Sequence, residues 1–174
     1  MDKHKYQDLT HRAYTLRGMI INEAIFLERM IDGYLADYFC KDDTTNKELK
    51  LLLLSTDRIV FESKRAIFQQ LINTHNKEFA KKHPTIFSDI QYIIEQRNFV
   101  AHHILDTSTE GIELIDKNSF RLLKYKNSVE NILFDPQRVE KVIQLIKGSI
   151  TAMFELVKDE SGTHLFRLSH GKAG

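Results

Sequence analysis

Cysteine is nearly missing from this 174-residue chain, where Cys40 stands alone. One thiol can form neither an intrachain disulfide nor a cysteine-based zinc cage, and it fits a reducing cytoplasm. At the end of an aromatic run, Cys40 reads as a core or boundary residue. Proline occurs only at Pro84 and Pro136 and there are 7 glycines, a scarcity that favours long helices over a turn-rich sheet. No charge of one sign prevails. The 25 basic residues against 24 acidic ones leave a formal charge of +1, which argues against a broad non-specific nucleic-acid coat but leaves a local basic groove open. Unbroken apolar runs stop at the length of Leu51–Leu54, far short of the roughly 20 residues of a membrane span. The polar N-terminus lacks the apolar core of a signal peptide. A cytoplasmic protein with no membrane partner is expected. Also missing are a Gly-rich phosphate loop, a G-x-S-x-G elbow, an H-E-x-x-H zinc spacing and any paired-carboxylate pattern, so no metal or cofactor is expected.

What is present is ordinary for a globular protein: 42% apolar and 28% charged residues. One domain over 1–160 is expected, followed by a loose tail over 161–174, where periodicity fades. Leu16, Ile20, Ala24, Leu27, Ile31, Tyr34 and Tyr38 keep a three-and-four spacing that predicts a long helix over about 5–39. In it, Gly18 and Gly33 are candidates for close helix approach. Residues 41–46 read as a polar breaker, and Leu51–Leu54 as the buried end of a short helix. Ser55 or Thr56 then reads as the N-cap of a helix to about Ile72, carried by Ile59, Ala66, Ile67 and Leu71. A turn over 73–78 precedes a helix that starts after Pro84 and runs from about Ile86 to Ile104. The runs 112–116 and 120–125 suit a small hairpin. Asp135-Pro136 is an N-cap with proline at the first helical position, opening a last helix to about Lys158. That helix carries Val139, Ile143, Ile146, Ile150, Met153 or Phe154, and Val157 on one face. The expected fold is all-α, a bundle of four or five helices with a β-hairpin insertion near 112–125.

The helix after Pro84 holds the clearest functional signal. At roughly 100° per residue, Ile86, Ile90, Ile93, Ile94, Val100, Ala101 and Ile104 gather into one apolar arc, and Arg97 projects from near its middle. A guanidinium cannot shed its charge, so on a burying face it must be paired or border a cleft. Gln91, Glu95, Asn98 and His102 form a second, polar stripe at i, i+4, i+7 and i+11.

Residues 94–102, and within them Arg97-Asn98-Phe99-Val100-Ala101-His102, resemble the R-x4-H signature of HEPN domains, with Asn98 matching the polar residue often found after the motif arginine. The layout is similar as well, with a long first helix, the motif ending a mid-chain helix and a closing amphipathic helix. The resemblance implies a HEPN-like bundle and a metal-independent RNA endonuclease acting as a homodimer, in a stress-response or phage-defence setting. It implies that His102 activates the ribose 2′-OH or protonates the leaving oxygen, that Arg97 stabilises charge on the phosphate, and that the product ends in a 2′,3′-cyclic phosphate. The alternative is a catalytically silent HEPN-like module that binds a nucleotide or a protein partner. HEPN toxins with the longer pattern R-x4-H-x-Y carry a tyrosine where this chain has Ile104. That departure weakens the case for a nucleotidyltransferase antitoxin but leaves the cleavage pair untouched.

Each candidate has a plainer reading. Positions five apart point about 140° from each other, so Arg97 and His102 do not share a helix face. Arginine's reach, a loosened helix end or a second subunit would reconcile them. Otherwise Arg97 pairs with a buried acid and His102 caps the helix. Asn98 is placed to bond the imidazole or a phosphate oxygen. Glu95 is placed to orient a group or hold a partner's arginine, or else belongs to a solvated face. His103 lies on a third face with Tyr92, Gln96 and Phe99, and adjacent histidines are poor joint ligands for one ion. Lys77, Lys81, Lys82, Arg121, Lys124 and Lys126 would either steer RNA or simply face solvent.

Overall fold

Helix dominates the computed structural model, which describes residues 3–56 and 58–159, as the scarcity of proline and glycine dictates. In chain order the helices are α1 Lys3–Phe39, α2 Asp43–Leu49, a π-helical turn Lys50–Leu54, α3 Phe61–His75, α4 Lys77–Lys82, α5 Ile86–His102, α6 Thr109–Asp116 and α7 Pro136–Asp159. Strands β1 Ile104–Leu105, β2 Phe120–Tyr125 and β3 Val129–Phe134 form one antiparallel sheet in the order β1-β2-β3. No helix among the described residues is long and apolar enough to cross a membrane. The tail over 161–174 lies outside the described residues.

The chain gathers into two compact units. Among the described residues, one holds 3–25 together with Asp89–Lys147, and the other holds Phe26–Ser88 together with 148–159. In the first unit, Leu9, Ala13, Ile20 and Ala24 of α1 are buried, as are Ile90, Ile93, Ile94 and Val100 of α5. The sheet adds Phe120 stacked on Phe134, with ring centroids 4.9 Å apart. The hairpin lies one element later than its pattern predicts. Residues 112–116 belong to α6 because Ser108 Oγ accepts from Gly111 N at 3.2 Å and starts a helix that buries Ile112 and Ile115 one turn apart. Gly111 is required there, since a Cβ would lie 2.4 Å from the Asp106 carbonyl oxygen. The hairpin is β2–β3, with Tyr125 paired to Val129. Asp135 opens α7 as expected, its Oδ1 accepting from Arg138 N at 2.7 Å. The buried face of α7 is turned slightly from the predicted one and runs through Val139, Val142, Ile146, Ser149, Met153 and Leu156, with Phe154 exposed.

In the second unit the sequence reading shifts more. Asp42 caps α2, so the polar segment 41–46 breaks the chain only briefly. Leu54 is buried, but Leu51, Leu52 and Leu53 are exposed. Thr56 closes the preceding turn, donating to the Leu53 carbonyl at 2.8 Å, so α3 begins at Phe61 and neither Ser55 nor Thr56 caps it. The turn over 73–78 contracts to Asn76, whose side chain caps α4. The buried face of α3 is Phe61, Lys64, Phe68 and Ile72, whereas Ala66 is exposed. Lys64 sits on this face because α1 supplies two carboxylates. Its Nζ lies 2.5 Å from Glu28 Oε1 and 3.0 Å from Asp32 Oδ1, with both the Lys64 and the Asp32 side chains almost fully enclosed. Burial pushes the Asp32 carboxyl above its ordinary range, and the Lys64 ammonium opposes that rise.

Two outcomes follow for stability. Lys64→Met leaves part-buried Glu28 without its cation and buried Asp32 with Arg29 alone at 3.2 Å, and is expected to cost about 3 kcal/mol near pH 7 in urea unfolding. A carboxyl whose folded pKa is raised favours the native state most when protonated, and loss of Lys64 raises Asp32 further. The deficit against wild type therefore shrinks as the pH is lowered toward the raised Asp32 value. Gly18, by contrast, has nothing within 4 Å of where a Cβ would stand, so it mediates no close helix approach among the described residues. Gly18→Ala is expected to raise stability by about 0.5–1 kcal/mol, measured the same way.

Candidate active site

Helix α5 stops at His102 because the chain must leave for β1, where Ile104 pairs with Leu123 and is exposed rather than part of the apolar arc. Helix ends leave carbonyls without intrahelical donors. At this end they are met by Arg17 of α1. Its Nε and Nη2 donate to the Val100 carbonyl at 3.0 and 2.6 Å, and Nη2 also donates to the His103 carbonyl at 2.9 Å. Burial lowers the Arg17 pKa, but a guanidinium stays charged at physiological pH. Farther back, Gln96 is buried and its Oε1 accepts from Arg138 Nε at 2.8 Å and Nη2 at 2.6 Å. Arg138 lies over the Phe134 ring at 4.2 Å and also donates to the Leu133 carbonyl, which blunts the β3 edge.

Between these anchors stand the predicted residues. Arg97, at the middle of the buried arc, is half-exposed, and its Nη1 donates to Asn98 Oδ1 at 3.0 Å. No carboxylate among the described residues pairs with it. Asn98 and His102 are exposed on the predicted stripe, and no protein group among the described residues bonds the His102 imidazole. Arg17, not His102, caps the helix. The arrangement thus combines a permanent cation with no acid neutralising it, an amide holding that cation toward solvent, and an imidazole one turn beyond the amide. Such groups can bind a phosphate and move a proton.

Glu95 is exposed and accepts from Gln91 Nε2 at 3.2 Å, the pattern of a solvated face. His103 lies edge-on to Phe99 with centroids 5.7 Å apart, and its Nδ1 is buried without a hydrogen-bond partner. It shares no ligand geometry with His102, and no group of three His, Cys, Asp or Glu residues suited to a metal occurs among the described residues. Most of the expected steering cations are engaged elsewhere: Lys81 with Glu78, Lys82 with Glu155, Arg121 with Asp106 and Glu110, and Lys124 with Glu130. Asp106 is held below the ordinary carboxylate range: burial works against this, but bonds from Ser108 and Arg121 outweigh it.

Arg17, Gln96 and Arg138 are the residues that sequence reasoning missed. The signal for Arg17 was present, because it stands in register with Ala13, Ile20 and Ala24 on the buried stripe of α1, as Arg97 does on α5. Comparison with known proteins adds nothing to this geometry: the chain matches no family model, no curated protein and no solved structure.

Removing Arg138 tests how α5 is held. Arg138→Met strands the buried Gln96 oxygen and is expected to cost about 2 kcal/mol, while the double change with Gln96→Leu recovers most of it. Equal losses in the single and double variants, read from urea midpoints, would show that the pair does not anchor the helix.

Proposed function

We propose that this chain is a HEPN-like RNA endonuclease that works without a metal and as a homodimer. The observation that carries the reading is that Arg97 sits on a burying arc with no acid among the described residues to neutralise it and donates instead to Asn98, beside an exposed His102. A structural cation on such an arc is claimed either by carboxylates, as Lys64 is by Glu28 and Asp32, or by main-chain oxygens, as Arg17 is by Val100 and His103. Arg97 has neither among the described residues. In the proposed reaction the His102 imidazole accepts the proton of a ribose 2′-OH. The 2′ oxygen attacks the adjacent phosphorus, and the 5′ oxygen of the next nucleotide leaves and takes up a proton. Arg97 stabilises the charge that grows on the non-bridging oxygens, and Asn98 sets the direction of its guanidinium. The products are a 2′,3′-cyclic phosphate and a 5′-hydroxyl. The divergence of Arg97 and His102 around the helix favours a site completed by the motif of a second copy.

A second reading, a silent module that binds a nucleotide or a protein, draws on the engaged cations: Lys81, Lys82, Arg121 and Lys124, all expected to steer RNA, are each paired to an acid.

One experiment separates the two. The full chain is incubated with a mixed RNA substrate in EDTA, beside the Arg97→Ala, His102→Ala double variant. Cleavage by the wild type alone with cyclic-phosphate ends is expected, and each single variant should slow it by about 100-fold or more. Intact RNA with both proteins favours the silent module, and equal cleavage by both removes Arg97 and His102 from the chemistry.

A further inference from the structure

The free end of α5 poses a problem that neither Arg97 nor His102 addresses. His102 is the last residue of the helix, and a helix C-terminus presents unsatisfied carbonyls with the negative end of the helix dipole. A phosphate approaching His102 would meet that negative end. Arg17 reaches this spot from α1 and makes three bonds to two carbonyls, Val100 and His103, which bracket His102 in sequence. The Val100–Ala101 and His103–Ile104 peptide groups, each one peptide removed from those that flank His102, are therefore held by a fork that is itself anchored on another helix. The His103 amide still donates to the Phe99 carbonyl at 3.3 Å, so the last turn keeps its helical course up to the clamp. Exposed Tyr14, whose ring lies 6.0 Å from the Arg17 guanidinium carbon, flanks the fork.

We infer that Arg17 is the positioning residue of the candidate site: it orients the turn that carries His102 and offsets the negative helix end where a phosphate must arrive. This inference rests on the endonuclease reading for its catalytic consequence. The clamp itself is a matter of geometry and is tested separately. Lysine cannot replace arginine here, because a single ammonium cannot reproduce a planar fork that spans two carbonyls.

The test uses the full chain with Arg17→Ala and Arg17→Lys, compared with wild type by RNA cleavage kinetics and by the ¹H–¹⁵N resonances of the His102 imidazole and of the 98–104 amides. Arg17→Ala is expected to lower kcat by about tenfold or more while KM stays within about twofold. Added ethylguanidinium should restore much of the rate, and ethylammonium should not. The resonance changes should centre on residues 100–103. Arg17→Lys, which keeps the charge and serves as the second variant should alanine prevent folding, should recover less than half of the wild-type rate. Wild-type kcat in a folded Arg17 variant would overturn the inference, as would unmoved His102 resonances. If wild-type protein cleaves no RNA, the endonuclease reading fails, and the resonances alone still decide whether Arg17 sets the position of His102.

Discussion

The bond between Arg17 and the carbonyls of Val100 and His103 fixes the element on which the candidate site is built. Without a donor there, a helix ending in a strand would leave its last carbonyls half-buried and unpaired, each costing on the order of 1–3 kcal/mol. The chain could meet that cost with a glycine in a Schellman turn, the commonest solution at helix ends. It has no glycine between Gly33 and Gly111, and it uses an arginine from α1 instead. The stop of α5, the start of β1 and the exposure of His102 then depend on a side chain more than 80 positions away in sequence.

Lys64, Arg17 and Arg97 stand on helix stripes that otherwise bury apolar groups, and each is satisfied differently. Lys64 is enclosed and neutralised by two carboxylates. Arg17 is satisfied by main-chain oxygens, which carry only partial charge, so it retains a net positive field at the end of α5. Arg97 is met by one neutral amide and by solvent. The gradient runs from full neutralisation to almost none. The cation at the far end of it is the one of the three bonded by a single neutral side chain, which sets Arg97 apart from an arginine recruited for packing.

That gradient also explains what the sequence revealed and what it concealed. The length of α1, the Asp135-Pro136 start of α7 and the two faces of α5 were legible, because periodicity and capping are local and neither needs a partner. The buried face of α3 was not. Reading Ala66 and Ile67 as its core avoided a lysine on the apolar face, and the reason a lysine can be there lies in Glu28 and Asp32 of another helix. Residues 112–116 form a short run that suits a strand, yet Ser108 and Gly111 turn them into a helix whose tight contact with Asp106 no local pattern encodes. Arg97 was legible as a cation on a burying arc, and Arg17 stands on α1 in the same way, in register with Ala13, Ile20 and Ala24.

The clamp bears on how Arg97 and His102 can act together. Three routes would bring side chains about 140° apart onto one phosphate: a loosened helix end, the reach of the arginine, or a second chain. The first is opposed by Arg17, which holds the carbonyls on both sides of His102, and by the Phe99–His103 hydrogen bond that keeps the last turn wound. The second is partly spent already, since Arg97 reaches round its helix only as far as Asn98. With Gln96 held by Arg138 and its end held by Arg17, α5 keeps arginine and histidine on separate faces. Two such helices facing each other would supply an arginine from one and a histidine from the other, with no rearrangement of either. The stiffness that keeps the pair apart within one chain is what would let it be complementary between two.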